Sequence, residues 1–238
     1  MIELLVVLYG RVLRVDPGQP GWPERDRFVL SKGHACAALY SVLAASGFFP
    51  RSWLDTFYQN GAHLAGHITH TNVPGVDAST GSLGHGLPLA TGMALAGKRD
   101  HRNYRVFALL SDGECDEGST WEAILFAGHH QLENLVAIVD YNKIQSIGRV
   151  EDVLDLEPIA DKWRACRWGL REIDGHNLEE IEGALAALPL EPGHPSCIVA
   201  HTVKGKGVSF MENNLLWHYR APNEQELVQA LQELEVTS

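Results

Sequence analysis

The chain has 238 residues, of which 45% are hydrophobic and 23 are glycine, a length and composition that suit one α/β domain with a sizeable core. The formal net charge of −11, from 19 basic and 30 acidic residues, argues against a nucleic-acid-binding surface. No C-x-x-C pair occurs among the 4 cysteines, so we expect reduced thiols in a cytoplasmic protein rather than a zinc site or a disulfide framework.

The apolar opening, residues 1–8, predicts a buried helix. Glu3 stands where a signal peptide carries its positive charge, and Arg11 and Arg14 come too early for a membrane span. We therefore expect no membrane association. The Pro- and Gly-rich residues 16–23 that follow predict a surface loop.

Two short apolar runs in the middle of the chain, residues 104–110 and 134–140, predict buried parallel strands. Residues 87–98, which precede the first run in the sequence, are predicted to form a helix. Between the two runs, Ser-Thr-Trp-Glu at 119–122 has the form of a capping box, which predicts a helix that continues over residues 123–131. A right-handed strand–helix–strand crossover brings the carboxyl ends of both strands to one edge of the sheet, where open α/β sheets bind ligands.

Polar residues at the ends of these two strands predict a site for a metal ion and a diphosphate. Mg²⁺ prefers oxygen ligands, which Asp112, the Asn142 amide and a main-chain carbonyl, assigned to Ile144, can supply. Two diphosphate oxygens and one water would complete six ligands. Gly113 has no side chain to obstruct a phosphate. The alternative is that these are ordinary turn residues after strands.

The end of the chain, residues 224–235, alternates charged and apolar residues at helical spacing and predicts an amphipathic helix. We find no internal repeat or low-complexity segment in the sequence. We therefore expect a single domain over residues 1–238, with residues 223–238 as its terminal helix. The predicted fold class is α/β, a mostly parallel sheet with helices on both faces.

Several segments carry a resemblance to one family. The Asp112-Gly113 pair and Asn142 are similar to the thiamine diphosphate signature usually written Gly-Asp-Gly…Asn. Other segments resemble the transketolases: Asp-Arg-Phe-Val-Leu-Ser-Lys-Gly-His-Ala at 26–35, Gly-His at 66–67, Gly-Val-Asp-Ala-Ser-Thr-Gly-Ser-Leu-Gly-His-Gly at 75–86, and Lys-Gly-Lys-Gly-Val-Ser-Phe-Met-Glu-Asn at 204–213 with Trp217-His218. The resemblance runs in the family's order from about Asp26 through Pro222.

The resemblance implies a thiamine diphosphate-binding fold and an activity. Such an enzyme uses thiamine diphosphate and Mg²⁺, in whose place Ca²⁺ or Mn²⁺ could serve, to move a two-carbon ketol unit from a ketose phosphate to an aldose phosphate in pentose phosphate metabolism. Complete transketolases have three domains, and this length matches only the diphosphate-binding one. The resemblance therefore implies the amino-terminal half of a split transketolase. Its carboxy-terminal partner would carry the pyrimidine-binding domain, with the glutamate that activates the aminopyrimidine ring of the cofactor. Self-association would give a heterotetramer.

The resemblance also assigns site residues. Three histidines match active-site histidines of the family: His34, His67 and His218. Gly81, Ser82 and Leu83 match residues beside the cofactor rings, and Gly113 and Asn142 match cofactor-binding residues. Glu117 matches a glutamate at the interface between subunits, and Lys204 matches a residue that approaches the cofactor. Against these roles, the histidines could be structural, Glu117 could be a solvated member of the acidic cluster Glu114, Asp116 and Glu117, and Lys204 could be an exposed loop lysine.

Departures from the family pattern keep other functions open. The Ser-Gly-His-(Pro or Ile)-Gly-Gly segment expected before the first helix is absent, so we expect a shortened sequence, a start assigned at an internal methionine, or a protein without one substrate-binding imidazole. Ser111, Ile68, His85, Tyr219 and Arg220 also depart from the usual residues. The alternatives are the E1 component of a 2-oxo acid dehydrogenase and a non-catalytic cofactor-binding subunit. The other histidines are expected to be structural or at the surface (His63, His70, His129, His130, His176 and His201), and the role of His85 stays open.

Overall fold

Five apolar runs form the strands of a parallel sheet in the computed structural model, which describes residues 1–236. The spatial order is β1-β2-β3-β5-β4, and every neighbouring pair is parallel. The strands are β1 Arg27–Leu30, β2 Val106–Ser111, β3 Leu135–Tyr141, β4 Gly169–Asp174 and β5 Ser196–His201. Because all five strands point the same way, their carboxyl ends form one edge of the sheet.

Helices connect the strands. They are α1 Ile2–Val7, α2 Cys36–Ala45, α3 Gly86–Arg99, α4 Gly118–His129, α5 Val150–Val153, α6 Ile159–Ala165, α7 Leu178–Ala186 and α8 Glu224–Val236. A π-helical turn, Leu8–Val12, extends α1, and short 3₁₀ turns occur at Gly33–Ala35, Arg51–Thr56, Gly113–Asp116 and Leu215–His218. Two of these 3₁₀ turns, Gly33–Ala35 and Gly113–Asp116, follow strand ends directly and shape the edge of the sheet.

Alternate side chains of each strand enter two separate cores. In β2, Phe107 and Leu109 pack on the face covered by α1, α2 and α7, whereas Val106, Ala108 and Leu110 pack on the face covered by α3, α4 and α6. Both faces of the sheet are therefore buried, which explains why its central strands read as continuous apolar runs rather than alternating ones. The predicted α/β class with helices on both faces is confirmed.

The predicted elements occur near their expected bounds. Each of the two central strands begins and ends one or two residues later than predicted, and the helix after residue 86 is present. The opening helix is buried through Leu4, Leu5, Val7 and Leu8. The terminal helix spans residues 224–236, and the last two residues of the range predicted for it lie outside the described residues.

The capping-box prediction was wrong. Helix α4 begins at Gly118 with Glu117 as its N-cap, and no side chain caps it. The Ser119 hydroxyl instead donates a hydrogen bond to the Gly84 carbonyl at 2.8 Å. A tertiary hydrogen bond thus replaces the predicted local cap, because the Gly84 loop lies against the start of this helix.

No helix within residues 1–236 is long and apolar enough to cross a membrane. All four cysteines are free thiols; Cys36, Cys115 and Cys197 are buried and Cys166 is partly buried.

Asp26 links the start of β1 to the start of β2 through a buried network. Its side chain is 0% exposed and accepts hydrogen bonds from the backbone N–H groups of Arg14 (3.1 Å) and Arg105 (2.8 Å) and from both guanidinium groups. Burial alone would raise the pKa of Asp26, but these hydrogen bonds outweigh it and hold the pKa below its usual value.

Replacing Asp26 with Asn is expected to lower the free energy of unfolding at pH 7 by about 2–3 kcal/mol, less than for a fully buried pair because both arginines are partly exposed. A carboxyl group whose pKa is lowered by folding stabilises the protein above its unfolded pKa of about 3.9 and loses that contribution as the pH falls through the folded pKa. The difference between Asp26→Asn and wild type should therefore shrink at about pH 3, as urea unfolding at both pH values would show.

The control for this substitution is Glu24→Gln, which removes an exposed ion pair with Arg102. It should change the free energy of unfolding by less than about 1 kcal/mol. Equal effects of the two substitutions would contradict a stabilising role for the buried network.

Candidate functional site

A cavity of about 720 Å³ lies at the carboxyl edge of the sheet. Its walls come mainly from the loops after β1, β2, β3 and β5 and from the 3₁₀ turn Leu215–His218. The start of α1, the loop before α3 and the loop after β4 contribute further residues. Most of the predicted site residues line it: His34, Leu83, Asp112, Gly113, Glu117, Asn142, Ile144, Lys204 and His218. Segments far apart in sequence therefore meet where the topology predicted a ligand site.

Asp112 and Asn142 meet at the ends of β2 and β3. One oxygen of the Asp112 carboxylate accepts from the N–H of Gly113 at 2.8 Å, and the other accepts from the N–H of Lys143 at 2.5 Å. The Asn142 side-chain oxygen accepts from the N–H of Ile144 at 3.1 Å. The predicted convergence of these two strand ends is confirmed.

The chemistry of this cluster fits a metal ion shared with a diphosphate. Burial raises the pKa of Asp112 to about 6, against the opposing effects of hydrogen bonds from Gly113 and Lys143 and of the charge of Lys32. A nearby cation would stabilise the ionised form of a buried carboxyl group whose pKa is raised in this way. Residues 1–236 contain no group of three or more His, Cys, Asp or Glu side chains that could hold a metal alone, so a metal here needs further oxygens from a ligand.

Gly113 gives that ligand room. A Cβ atom at this position would lie 3.0 Å from the side chain of Gln145, across the loop that follows β3. A side chain at position 113 would press on the side chain of Gln145, next to the place where the diphosphate is expected. The residues present therefore fit a metal–diphosphate group.

A buried ion pair joins the loop after β1 to the end of β3. Lys32 donates to Asp140, and the hydroxyl of Thr202 donates to the other oxygen of the same carboxylate. Burial alone would raise the pKa of Asp140, but the charge of Lys32 and these hydrogen bonds hold the pKa well below its usual value. Both charged residues line the cavity, and neither was singled out from the sequence. Their positions in the sequence could have indicated them, since Lys32 lies in the Ser-Lys-Gly-His segment and Asp140 ends the predicted strand.

Two predicted histidines lie next to each other in the cavity wall. The ring centroids of His34 and His218 are 5.8 Å apart. Burial, together with the charge of Lys32 and of other nearby basic groups, lowers the pKa of His34 to about 4, and burial and Lys204 lower the pKa of His218. Both imidazoles are therefore uncharged at neutral pH.

Lys204 fixes the tautomer of His218. Its ammonium group lies 2.9 Å from the Nδ1 atom of His218, and because an ammonium group can only donate, Nδ1 is the acceptor. The proton of the neutral ring is then on Nε2. Lys204 is a partly buried cavity residue, so the alternative of an exposed loop lysine was wrong.

His176 was expected to be structural or at the surface, and the structure places it in the cavity wall. Its Nε2 atom accepts from the N–H of Val203 at 2.8 Å, and its Nδ1 atom lies 2.6 Å from the carboxylate of Glu3. The neutral ring therefore carries its proton on Nδ1. No sequence pattern marks this histidine, because its partners are far away in the chain.

Three predicted site residues do not line this cavity: His67, Gly81 and Ser82. They lie together beside it, since a Cβ atom on Gly81 would be 3.4 Å from the ring of His67. His67 and Ser82 are exposed, which leaves them open to a further chain. Glu114 does not belong to a solvated acidic cluster, which was the alternative considered for Glu117, because Glu114 is 0% exposed.

Comparison with known proteins places this geometry in a family. Residues 1–236 match the family described as "Transketolase, thiamine diphosphate binding domain". The chain is 46% identical over 233 residues to the 6-deoxy-6-sulfo-D-fructose transketolase subunit of Clostridium sp. strain MSTE9, covering 98% of this chain and 85% of that protein. It is 41% identical to one of the subunits of apulose-4-phosphate transketolase from Phocaeicola vulgatus, over 98% of this chain and 83% of that protein.

Comparison with solved structures points to the same family. Transketolase from Campylobacter jejuni superposes with a TM-score of 0.91 at 32% identity, covering 98% of this chain but only 37% of that enzyme. The chain thus spans most of the length of the subunits it resembles and about a third of the longer enzyme. It belongs to the transketolase family and corresponds to the amino-terminal, thiamine diphosphate-binding part.

Proposed function

We propose that this chain is the cofactor-binding subunit of a two-chain transketolase, which transfers a two-carbon ketol unit from a ketose phosphate to an aldose phosphate. The observation that carries the proposal is the meeting of Asp112 and Asn142 in the cavity that also holds the adjacent imidazoles of His34 and His218. Thiamine diphosphate would supply the carbon nucleophile that accepts the two-carbon unit.

The residues of this chain would hold the cofactor through a metal ion. In this proposal Asp112, Asn142 and the carbonyl of Ile144 bind Mg²⁺, and Gly113 leaves room for the diphosphate. Gly81, Ser82 and Leu83 would lie beside the cofactor rings. Ca²⁺ or Mn²⁺ could replace Mg²⁺, because the donor set is all oxygen.

The imidazoles would serve the substrate. His218, with its proton on Nε2, can donate a hydrogen bond to a sugar hydroxyl or a developing alkoxide, while Lys204 keeps Nδ1 occupied. His34 is uncharged at neutral pH and can exchange a proton with the same group. His67, beside the cavity, would contact the part of the sugar that lies between this chain and its partner.

The identity of the sugar is open to direct assay. The two bacterial relatives are named for a sulfo sugar and for a sugar phosphate, so a ketose with an anionic group is the proposed donor class. Xylulose 5-phosphate, 6-deoxy-6-sulfo-D-fructose and apulose 4-phosphate form the donor panel, with ribose 5-phosphate and glyceraldehyde 3-phosphate as acceptors.

The deciding experiment measures two-carbon transfer by the chain alone and with a candidate carboxy-terminal transketolase chain from the same genome. Activity is expected only in the mixture, only with thiamine diphosphate, and lost with EDTA until Mg²⁺ is restored. A complex that binds the cofactor but turns over none of the panel would favour the non-catalytic role. Transfer to a lipoyl group from a 2-oxo acid would favour a dehydrogenase component.

Self-association is part of the proposal. Exposed apolar side chains lie on α3 and α4, which pack against each other: Leu89, Leu125 and Phe126. Glu117, the residue that resembles the family's interface glutamate, is the N-cap of α4. We take this surface as the contact with a second copy of the chain, giving two copies of each chain in a cytoplasmic heterotetramer.

Leu125→Glu is expected to weaken this association by about 10–100-fold, because it places a charge in the apolar contact where Leu125 is 60% exposed in the single chain. Sedimentation equilibrium of the complex would show the mass falling towards half. The matched control is Leu178→Glu, a leucine 48% exposed on α7 at the other face of the sheet. A mass unaffected by Leu125→Glu would move the interface elsewhere.

A further inference from the structure

Glu114 lies between three loops that surround the cofactor cavity. Its side chain is 0% exposed, and one carboxylate oxygen accepts hydrogen bonds from the hydroxyl of Ser31 and from the N–H of Gly84 at 2.9 Å. Its own N–H donates to the hydroxyl of Ser111 at 3.3 Å, and its carbonyl accepts from the hydroxyl of Thr120 at 3.0 Å. One side chain thus connects the loops after β1 and β2 with the loop before α3.

Each of these loops carries a different part of the site. The loop after β1 bears Lys32 and His34, the loop before α3 bears Leu83, and the loop after β2 bears Asp112. The backbones of two of these segments are close at the contact, since a Cβ atom on Gly86, the first residue of α3, would lie 2.5 Å from the Cα atom of Ser31.

Glu114 itself does not reach the cavity. It is absent from the cavity wall, and its second carboxylate oxygen is buried without a hydrogen-bond partner. A buried oxygen without a partner disfavours the fold, so the residue is not explained by stability alone. Its polar contacts point instead to the placement of the loops.

We propose that Glu114 is a positioning residue that sets the distance between the metal loop and the loops carrying His34 and Leu83. This inference rests on the proposed function, because it concerns how the thiamine diphosphate cavity is shaped. The hydrogen-bond acceptor on Glu114 holds the Ser31 and Gly84 loops against the loop of Asp112, so that the metal end and the ring end of the cofactor are bound at once.

The test measures the dissociation constant of Mg²⁺–thiamine diphosphate by titration calorimetry, on the complex of this chain with its partner. Glu114→Ala should weaken binding about 10–100-fold, the range found when an outer-shell partner is removed. Glu114→Gln keeps an acceptor oxygen for Ser31 and Gly84 and should stay within about threefold of wild type. The turnover number of the loaded enzyme should follow the same order.

Asp26→Asn separates positioning from stability, because it removes a buried carboxylate far from these loops and should leave the dissociation constant unchanged. Ser31→Ala serves as a second variant in case Glu114→Ala fails to fold, and it should also weaken binding. Equal affinity for wild type and both Glu114→Ala and Ser31→Ala would overturn the inference, as would a Glu114→Gln variant as weak as Glu114→Ala. If wild type binds no thiamine diphosphate, the proposed function fails first, and this inference fails with it.

Discussion

Asp112→Asn is expected to abolish Mg²⁺-dependent binding of thiamine diphosphate and with it two-carbon transfer. The substitution removes the only charged ligand that the chain supplies to the proposed metal site and leaves neutral protein oxygens, which bind a hard divalent cation less well than a carboxylate does. A loss of at least about 100-fold in cofactor affinity is expected, since removing even an outer-shell partner costs 10–100-fold. Titration calorimetry of the complex with Mg²⁺ and the cofactor measures the affinity directly.

The same substitution should not destabilise the metal-free protein. Folding raises the pKa of Asp112 to about 6, so the ionised carboxylate disfavours the folded state above that pH. Asn removes this cost but loses the hydrogen bond from Lys143, which leaves a net gain of about 1 kcal/mol. Urea unfolding in EDTA at pH 8 should show the gain, and it should shrink as the pH falls below 6.

The control for Asp112→Asn is Asp55→Asn, an exposed aspartate outside the cavity. It removes the same charge and should change neither cofactor affinity nor transfer. A variant Asp112→Asn that binds the cofactor as tightly as wild type would remove Asp112 from the metal site, and with it the observation that carries the proposed function.

The sequence predicted the meeting of Asp112 and Asn142 because its signals are local. Asp112 and Asn142 each follow an apolar run, and the topology of parallel strands is enough to bring two strand ends together. The same reasoning located the sheet, since both central strands are buried on both faces and read as continuous apolar segments.

The rest of the site depends on tertiary contacts that leave no periodic signal. Glu114 resembles its neighbour Glu117 in the sequence, yet it is fully buried because the Gly84 and Ser31 loops close over it. His176 enters the cavity wall through Glu3 and Val203, which lie in remote segments. Ser119 fits a capping box locally, but the Gly84 carbonyl takes its hydroxyl. In each case a hydrogen bond with a backbone group far away in the sequence helps to fix the position of the side chain.

The last prediction concerns the buried pair of Lys32 and Asp140, which are 5% and 7% exposed at the side chain. Lys32→Met should destabilise the protein by about 3–5 kcal/mol, because it leaves the Asp140 carboxylate buried without its cation. Adding Asp140→Asn should recover most of that loss, since the double variant buries no charge and Thr202 keeps a hydrogen-bond acceptor. Urea unfolding of the two single variants and the double variant forms a double-mutant cycle.

The cycle also separates two roles for the pair. If Lys32 and Asp140 only support the fold, the double variant should regain cofactor affinity and transfer together with stability. If the positive charge of Lys32 in the cavity wall attracts the bound diphosphate, the double variant should regain stability while its cofactor affinity stays low, because Met cannot attract an anion. We expect the second result, since Lys32 lies in the wall next to Asp112 and reduces the rise in its pKa. Single variants as stable as wild type would show instead that the pair is solvated and contributes to neither.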